Sequence, residues 1–129
     1  MVTVFFLIIL LSLNLRSTEY ISHKTVRINS GDTLKTNLMA SGRYVEVMGY
    51  VDADVFAGCE KTIIEGKVSD DVLSGCRELD IRGEVGDMVV GFGQTVLIDG
   101  KVGGDVIAFC GELRITDRAH IGGNLVLGT

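Results

Sequence analysis

The chain has 129 residues, enough for one domain, and 47% of them are hydrophobic, with 17 glycines and no proline. This composition suits a compact β-rich body and argues against a disordered chain. The formal net charge is -5, with Lys and Arg scattered singly, whereas a nucleic-acid binder needs a basic patch to displace counterions from phosphate. We therefore expect no nucleic-acid partner.

The N-terminal segment, residues 1–17, differs in kind from the rest of the chain. Residues 2–15 (VTVFFLIILLSLNL) are almost all apolar. This run is shorter than the roughly 20 residues of a membrane span and matches the apolar region of a secretory signal peptide. We predict a signal peptide or a membrane anchor over residues 1–17, and a buried first element of the fold is the remaining alternative. An uncleaved leader would make the membrane a partner.

The body of the protein, residues 18–129, opens with a strand. Residues 26–28 alternate apolar and polar, and Leu34 follows Ile28 after a six-residue corner. The same interval separates Ile115 from Ile121 near the other end. Two longer corners thus flank the regular part of the chain, as expected when the terminal repeats of a solenoid are atypical. The last row ends part-way round a coil, so the sequence leaves open whether the natural chain continues beyond Thr129.

Between these corners the sequence repeats with a 17-residue period, in five rows that begin at Val45, Thr62, Leu79, Val96 and Leu113. A fixed period of this size is typical of a solenoid in which each repeat is one structural unit. One apolar column, the core ladder, comprises Val47, Ile64, Ile81, Ile98 and Ile115. One glycine column, the corner glycines, comprises Gly49, Gly66, Gly83 and Gly100, and Asp117 takes its place in the fifth row.

The alternation of inward and outward side chains predicts the shape of each coil. Alternation along a strand places Val45 and Val47 inside, and it separates three short strands by corners at Gly49, at residues 53–54 and at residues 60–61. Glycine suits the first corner because it tolerates positive φ. The fold class is therefore all-β: a three-sided parallel β-helix of about six coils, whose coils lie about 4.8 Å apart.

The rows resemble a known family. The pattern in residues 96–108 (VLIDGKVGGDVIA) and 45–57 (VEVMGYVDADVFA) looks like that of the bactofilins, bacterial polymer-forming cytoskeletal proteins. The resemblance runs from about Ile28 to Thr129. It implies a right-handed β-helix that associates end to end into non-polar filaments without nucleotide, often at a membrane. The chain departs from the family in its signal-like leader, which favours an exported or membrane-associated variant over a cytoplasmic one.

Three cysteines share a column: Cys59, Cys76 and Cys110, with Gly93 in the gap. We predict small buried thiols, because inward cysteine behaves as a small hydrophobe. A disulfide between adjacent coils is the less favoured alternative, since parallel Cβ vectors hold the Cβ atoms too far apart. Zinc is less favoured still, because a straight column does not surround a tetrahedral ion.

Two polar features could carry chemistry. Asp54, Asp71 and Asp105 form a column at a corner, which we interpret as a solvated turn rather than a cation site. His23 and His120 are the two histidines, and His120 is the one residue that could support a catalytic role, because left-handed β-helix acyltransferases use a histidine on a coil. The intervals of 4 and 13 residues differ from the hexapeptides of those enzymes, and no acid or nucleophile converges on His120. We therefore predict no enzyme activity, no catalytic residue, no metal and no cofactor.

One outward column is apolar. We call the following six residues the apolar stripe: Phe56, Leu73, Val90, Ile107, Phe92 and Phe109. If these side chains point outward, as the alternation along the strands predicts, one face of the β-helix bears an apolar patch of the kind that marks an interaction surface. The alternative is a bulge at the Asp54 corner that turns these residues inward.

The leading hypothesis from the sequence is a structural protein that self-assembles through its ends into filaments or scaffolds at the cell envelope. The end coil of a β-helix exposes unpaired backbone groups around an apolar centre, and the most favourable partner is another end of the same kind. The alternative is an exported binding module whose flat faces hold polysaccharide or another envelope component. If the protein is not exported, we expect it at the cytoplasmic face of the membrane.

Overall fold

The structure is a computed structural model, and it describes residues 19–22 and 24–129. The predicted leader over residues 1–17 and His23 lie outside the described residues. Within them there is no helix, and the strands are β1 (Glu19–Ser22), β2 (Thr25–Ile28), β3 (Thr33–Leu34), β4 (Leu38–Ser41), β5 (Tyr44–Val47), β6 (Tyr50–Val51), β7 (Val55–Ile64), β8 (Lys67–Val68), β9 (Val72–Ile81), β10 (Glu84–Val85), β11 (Val89–Ile98), β12 (Lys101–Val102), β13 (Val106–Ile115), β14 (His120–Ile121) and β15 (Leu125–Gly128).

All pairs among these strands are parallel and join one coil to the next. Nine strands form one sheet, and β3, β6, β8, β10, β12 and β14 form the other. The 17-residue register holds through the middle of the chain, where Ile64 pairs with Ile81 and Ile81 pairs with Ile98. The protein is therefore a β-solenoid of about six turns, which confirms the all-β coiled architecture that the period predicts.

Both longer corners are present at the predicted places. Ile28 pairs with Val47 at the start of the solenoid, and Val102 pairs with Ile121 at its end. Each of these two pairs spans two positions more than the regular repeat does. The additional positions lie in the turns, so the buried columns keep their alignment from coil to coil.

The third predicted corner differs from expectation. Residues 60–61 do not separate two strands, because β7 runs unbroken from Val55 to Ile64. The inward positions nevertheless shift there: Val55 and Ala57 are buried before the bend, and Thr62 and Ile64 after it. The carbonyl of Arg43 accepts both the Glu60 and the Lys61 N–H groups, at 3.0 and 3.1 Å. The strand thus bends between two sides of the coil while its backbone stays hydrogen-bonded.

The residues of the core ladder fill the interior, except for Ile115 in the last row. Val47, Ile64, Ile81 and Ile98 are fully buried, whereas Ile115 is 44% exposed. The expectation that Ile115 is a core residue is wrong in this structure. The reason is that each inward side chain is covered by the coils on both sides of it, and Ile115 has a described coil on one side only.

The corner glycines are required for a reason other than the predicted one. Positive φ is found at Gly31 and Gly42 among the described glycines, and not at the corner column. The corners are instead crowded: a Cβ at Gly66 would lie 1.9 Å from the carbonyl oxygen of Gly49, and a Cβ at Gly83 would lie 2.0 Å from that of Gly66. Each corner glycine therefore permits close stacking on the preceding coil.

Candidate functional site

The apolar stripe lies on the outside of the solenoid. Phe56 projects outward between Val55 and Ala57, which are both buried, so the alternation of β7 continues through the Asp54 corner without the bulge considered above. Direct parallel pairs join Phe56 to Leu73 and join Leu73 to Val90. The stripe is therefore a continuous column on one sheet.

The stripe is longer than the sequence analysis indicated. Met39 pairs with Phe56 at one end, and Val126 pairs with Ile107 at the other. Both Met39 and Val126 are exposed. Sequence reasoning missed them because they lie in the irregular first and last coils, although the 17-residue and 19-residue offsets would have located them.

The second column of the stripe is uneven. The Phe92 and Phe109 rings stack with centroids 5.2 Å apart and planes 7° apart, and about half of each side chain is exposed. In line with them on the two preceding coils are Gly75 and Gly58, which carry no side chain. A shallow depression lies over these glycines, bounded by Phe92. One end of the face thus carries raised rings and the other carries a recess.

A second apolar surface lies on the last described coil, which we call the end coil and which consists of the second half of β13 with β14 and β15. Leu125 pairs with Val106 and Leu127 pairs with Ala108, so both leucines continue inward columns. Val106 and Ala108 are fully buried, whereas Leu125 is 46% and Leu127 is 52% exposed. With Ile115, Leu125 and Leu127 form the apolar cross-section of this coil. The sequence predicts an apolar end coil but does not identify its residues.

The opposite end of the solenoid differs. Val26, Ile28 and Leu34, the inward residues of the first coil, are all buried. Among residues 19–22 and 24–129, the exposed inward side chains therefore lie at the C-terminal end.

The aspartate column fastens one coil to the next. Oδ1 of Asp54 accepts the backbone N–H of Asp71 at 2.9 Å, and Oδ1 of Asp71 accepts that of Met88 at 2.9 Å. Oδ1 of Asn37 accepts the Asp54 N–H in the same way, and after an interruption at Met88, Oδ1 of Asp105 accepts the Asn124 N–H. The carboxylates satisfy corner N–H groups that the sheets leave unpaired. This column is structural, and the part of the chain that the structure describes holds no group of three His, Cys, Asp or Glu residues suited to a metal.

The three cysteines are free thiols. Sγ of Cys76 lies 3.0 Å from Oγ1 of Thr62 and accepts the backbone N–H of Cys59 at 3.1 Å. The hydrogen bond with the Cys59 side chain is the main cause that lowers the pKa of the Cys76 thiol to about 6, while burial acts in the opposite direction. The same bond, together with burial, raises the pKa of Cys59. The Cys76 and Cys110 side chains are buried, so reagents dissolved in the solvent do not reach their thiols.

An ion pair that the sequence analysis missed holds the end coil to the coil before it. Nη2 of Arg118 lies 2.5 Å from Oδ2 of Asp99, and the Thr116 hydroxyl donates to Oδ1 of the same carboxylate. The hydrogen bonds from Arg118 and Thr116 hold the pKa of Asp99 below its usual range. Thr116 lies one regular repeat of 17 residues after Asp99, whereas Arg118 lies 19 residues after it, at the longer corner.

No catalytic arrangement surrounds His120. It lies in β14 beside Lys101, is exposed, and no hydrogen bond or ion pair joins its ring to a described acid or nucleophile. Among the residues the structure describes, no helix has the length and apolar character to cross a membrane.

Comparison of the chain with protein-family models, with curated proteins and with solved structures found no match.

Proposed function

We propose that this protein is a structural protein that self-assembles end to end, beginning at its C-terminal end coil, and forms filaments or scaffolds at the cell envelope. The observation that carries the proposal is the exposed apolar cross-section of the end coil, where Ile115, Leu125 and Leu127 continue columns that are buried in the preceding coils.

Hydrophobic burial favours covering this end. Full burial of an aliphatic side chain contributes about 1.5–3 kcal/mol, so three side chains that are about half exposed would gain roughly 1 kcal/mol each in either copy. The backbone adds to this, because β14 and β15 each pair with a strand on one side only among the described strands. Each new hydrogen bond at such an edge contributes about 1 kcal/mol.

A second copy of the same end is the partner that fits. An end coil presents the same outline and the same unpaired groups in each molecule, so two such ends meet as an isologous pair. This pair closes on itself, so growth into a filament requires a second contact, between the N-terminal ends of neighbouring pairs. The inward residues of the first coil are already buried, and this difference favours contact between two C-terminal ends over contact between opposite ends.

Two features of the sequence support the rest of the proposal. The resemblance of residues 45–57 and 96–108 to the bactofilin pattern favours a polymer-forming role. The apolar run over residues 2–15 favours a position at the cell envelope.

The experiment compares three versions of the full chain by sedimentation velocity and electron microscopy. Replacing Leu125 and Leu127 together by Lys places two charges on the end coil and should abolish end contacts, because a buried unpaired charge is strongly disfavoured. The control Leu97→Lys places the same kind of charge on an outward position of a middle coil. All versions share the leader, so its contribution cancels. Equal assembly of the end variant and the wild type would refute the proposal.

A further inference from the structure

We propose that the apolar stripe binds a second copy of this chain in an antiparallel, face-to-face pair, in which the Phe92 and Phe109 rings of each copy fill the depression over Gly75 and Gly58 of the other. This surface shares Val126 with the end coil and otherwise lies on the preceding coils, and the proposal does not depend on the end contact.

The composition of the face supports an apolar partner. Its outer columns hold Met39, Phe56, Leu73, Val90, Ile107 and Val126 in one line, and Gly58, Gly75, Phe92 and Phe109 in the next. None of these side chains is charged. The Ser41 hydroxyl lies at the edge of the depression, in line with Gly58. The rest of the face offers a charged ligand little to recognise, whereas a second apolar face finds apolar side chains along the whole column.

The raised rings and the depression of this face are complementary in shape, so two copies of the face fit together. A two-fold axis that runs along the strand direction, midway between the coils of Gly75 and Phe92, places Phe92 of one copy over Gly75 of the other. The same axis places Phe109 over Gly58, because each ring is as many coils above the axis as its glycine is below it. One operation thus seats both rings of each copy in recesses, which is the requirement of an isologous interface.

The same two-fold rotation also brings together the apolar residues of the neighbouring column. Leu73 falls opposite Val90, Phe56 opposite Ile107, and Met39 opposite Val126, so every pair across the axis is apolar. At the rim, Asp54 of one copy falls opposite Asp105 of the other. Each of these carboxylates already accepts a backbone N–H, and salt screens their mutual repulsion. Pairing should therefore strengthen as salt is raised.

The area of the face decides how stable the pair is. Five coil spacings give about 24 Å along the solenoid and four residue steps give about 13 Å along the strands, so each copy buries roughly 300–400 Å². Stable dimers bury a total of about 1,200–2,000 Å². An isolated pair is therefore weak, and the contact gains strength when end contacts join many copies and repeat it along a filament.

The decisive variant fills the depression. A Cβ at Gly75 would meet no atom within 4 Å, so the backbone there has room for a side chain, and Gly75→Phe adds apolar surface to the face. Unspecific hydrophobic association would grow stronger with this change. The ring-and-recess pair would grow weaker, because the ring introduced at position 75 of one copy then collides with Phe92 of the other.

The experiment uses sedimentation equilibrium on the full chain with Lys at positions 125 and 127, so that end contacts do not contribute. We expect a weak dimer whose Kd rises at least tenfold with Gly75→Phe and falls back toward the starting value when Phe92→Gly is added, because the ring and the recess then exchange places. Leu97→Phe adds a phenyl group to another side of the solenoid and should leave Kd unchanged.

Three results would overturn the proposal: no dimer at the highest soluble concentration, a Kd that Gly75→Phe leaves unchanged or lowers, or a double variant that fails to recover. A chain that stays monomeric but binds phosphatidylcholine vesicles, and less so with Phe92→Ser, would identify a lipid surface as the occupant instead. The outcome is separable from the proposed function. Polymerisation of the wild type without lateral dimers retains the end contact alone, and lateral dimers without polymerisation retain the stripe alone.

Discussion

Substitution of a corner glycine tests how the coils are held at their spacing. In Gly83→Ala the new Cβ would lie 2.0 Å from the carbonyl oxygen of Gly66, whereas ordinary contacts of a Cβ begin at 3.4 Å. The two coils must therefore separate locally until this gap is closed. That movement also breaks the hydrogen bond that the Glu84 N–H donates to the same Gly66 oxygen at 3.0 Å.

The magnitude follows from these two losses. Overpacking a close contact costs about 1–3 kcal/mol, and the lost hydrogen bond adds about 1 kcal/mol. We expect Gly83→Ala to lower the free energy of unfolding by about 2–4 kcal/mol, a large part of the roughly 5–15 kcal/mol of a typical domain. The matched control is Gly75→Ala, which meets no atom within 4 Å and should stabilise by about 0.4–1 kcal/mol through the unfolded chain.

The assay is urea denaturation followed by far-ultraviolet circular dichroism. Asparagine separates the two reasons for a corner glycine, because Asn tolerates positive φ better than Ala does. Crowding makes Gly83→Asn at least as damaging as Gly83→Ala. At Gly31, where φ is 88° and no atom lies near a Cβ, Asn should instead be milder than Ala. Equal stability of Gly83→Ala and Gly75→Ala, or a mild Gly83→Asn, would refute the crowding argument.

Three further predictions concern the polar contacts and the thiols. Asp71→Ala removes the acceptor of the Met88 N–H and should cost about 1–2 kcal/mol in urea denaturation, whereas Asp71→Asn retains the acceptor and should cost less; equal losses would contradict a hydrogen-bonding role. Because Arg118 and Thr116 lower the pKa of Asp99, the stability that this carboxylate contributes is complete above its unfolded pKa of about 3.9 and is lost as pH falls below it toward the folded pKa; a plot of Tm against pH should be flatter for Asp99→Asn in that range, and an unchanged slope would exclude the ion pair. The native protein should react slowly with a thiol reagent, and all three cysteines should react after unfolding, because two of the three are buried; rapid native labelling of all three would contradict the packing of that column.

The period alone made the architecture predictable. Parallel stacking forces residues one coil apart into register, so a column of Val and Ile that recurs once per row specifies which side chains meet. Val47, Ile64, Ile81 and Ile98 are buried for this reason. Ile115 belongs to the same column but is about half exposed. Its burial depends on whether a further coil covers it, and the sequence of one repeat does not determine that.

The finer geometry was less accessible from the sequence. A glycine column is compatible with either positive φ or close approach, and coordinates were needed to choose crowding at Gly66 and Gly83. The sequence predicts a change of direction at residues 60–61, but it does not distinguish a corner between two strands from the observed bend within the continuous strand β7. The Asp99–Arg118 pair spans an irregular corner, where the 17-residue offset no longer applies.

The orientation of the strands within an assembled filament tests the central claim most directly. If the solenoids associate through their end coils, the strands lie across the filament, and fibre diffraction from aligned filaments of the full chain should show the coil spacing of about 4.8 Å on the meridian. The same reflection on the equator would mean that the solenoids lie across the filament. That result would contradict assembly through Ile115, Leu125 and Leu127.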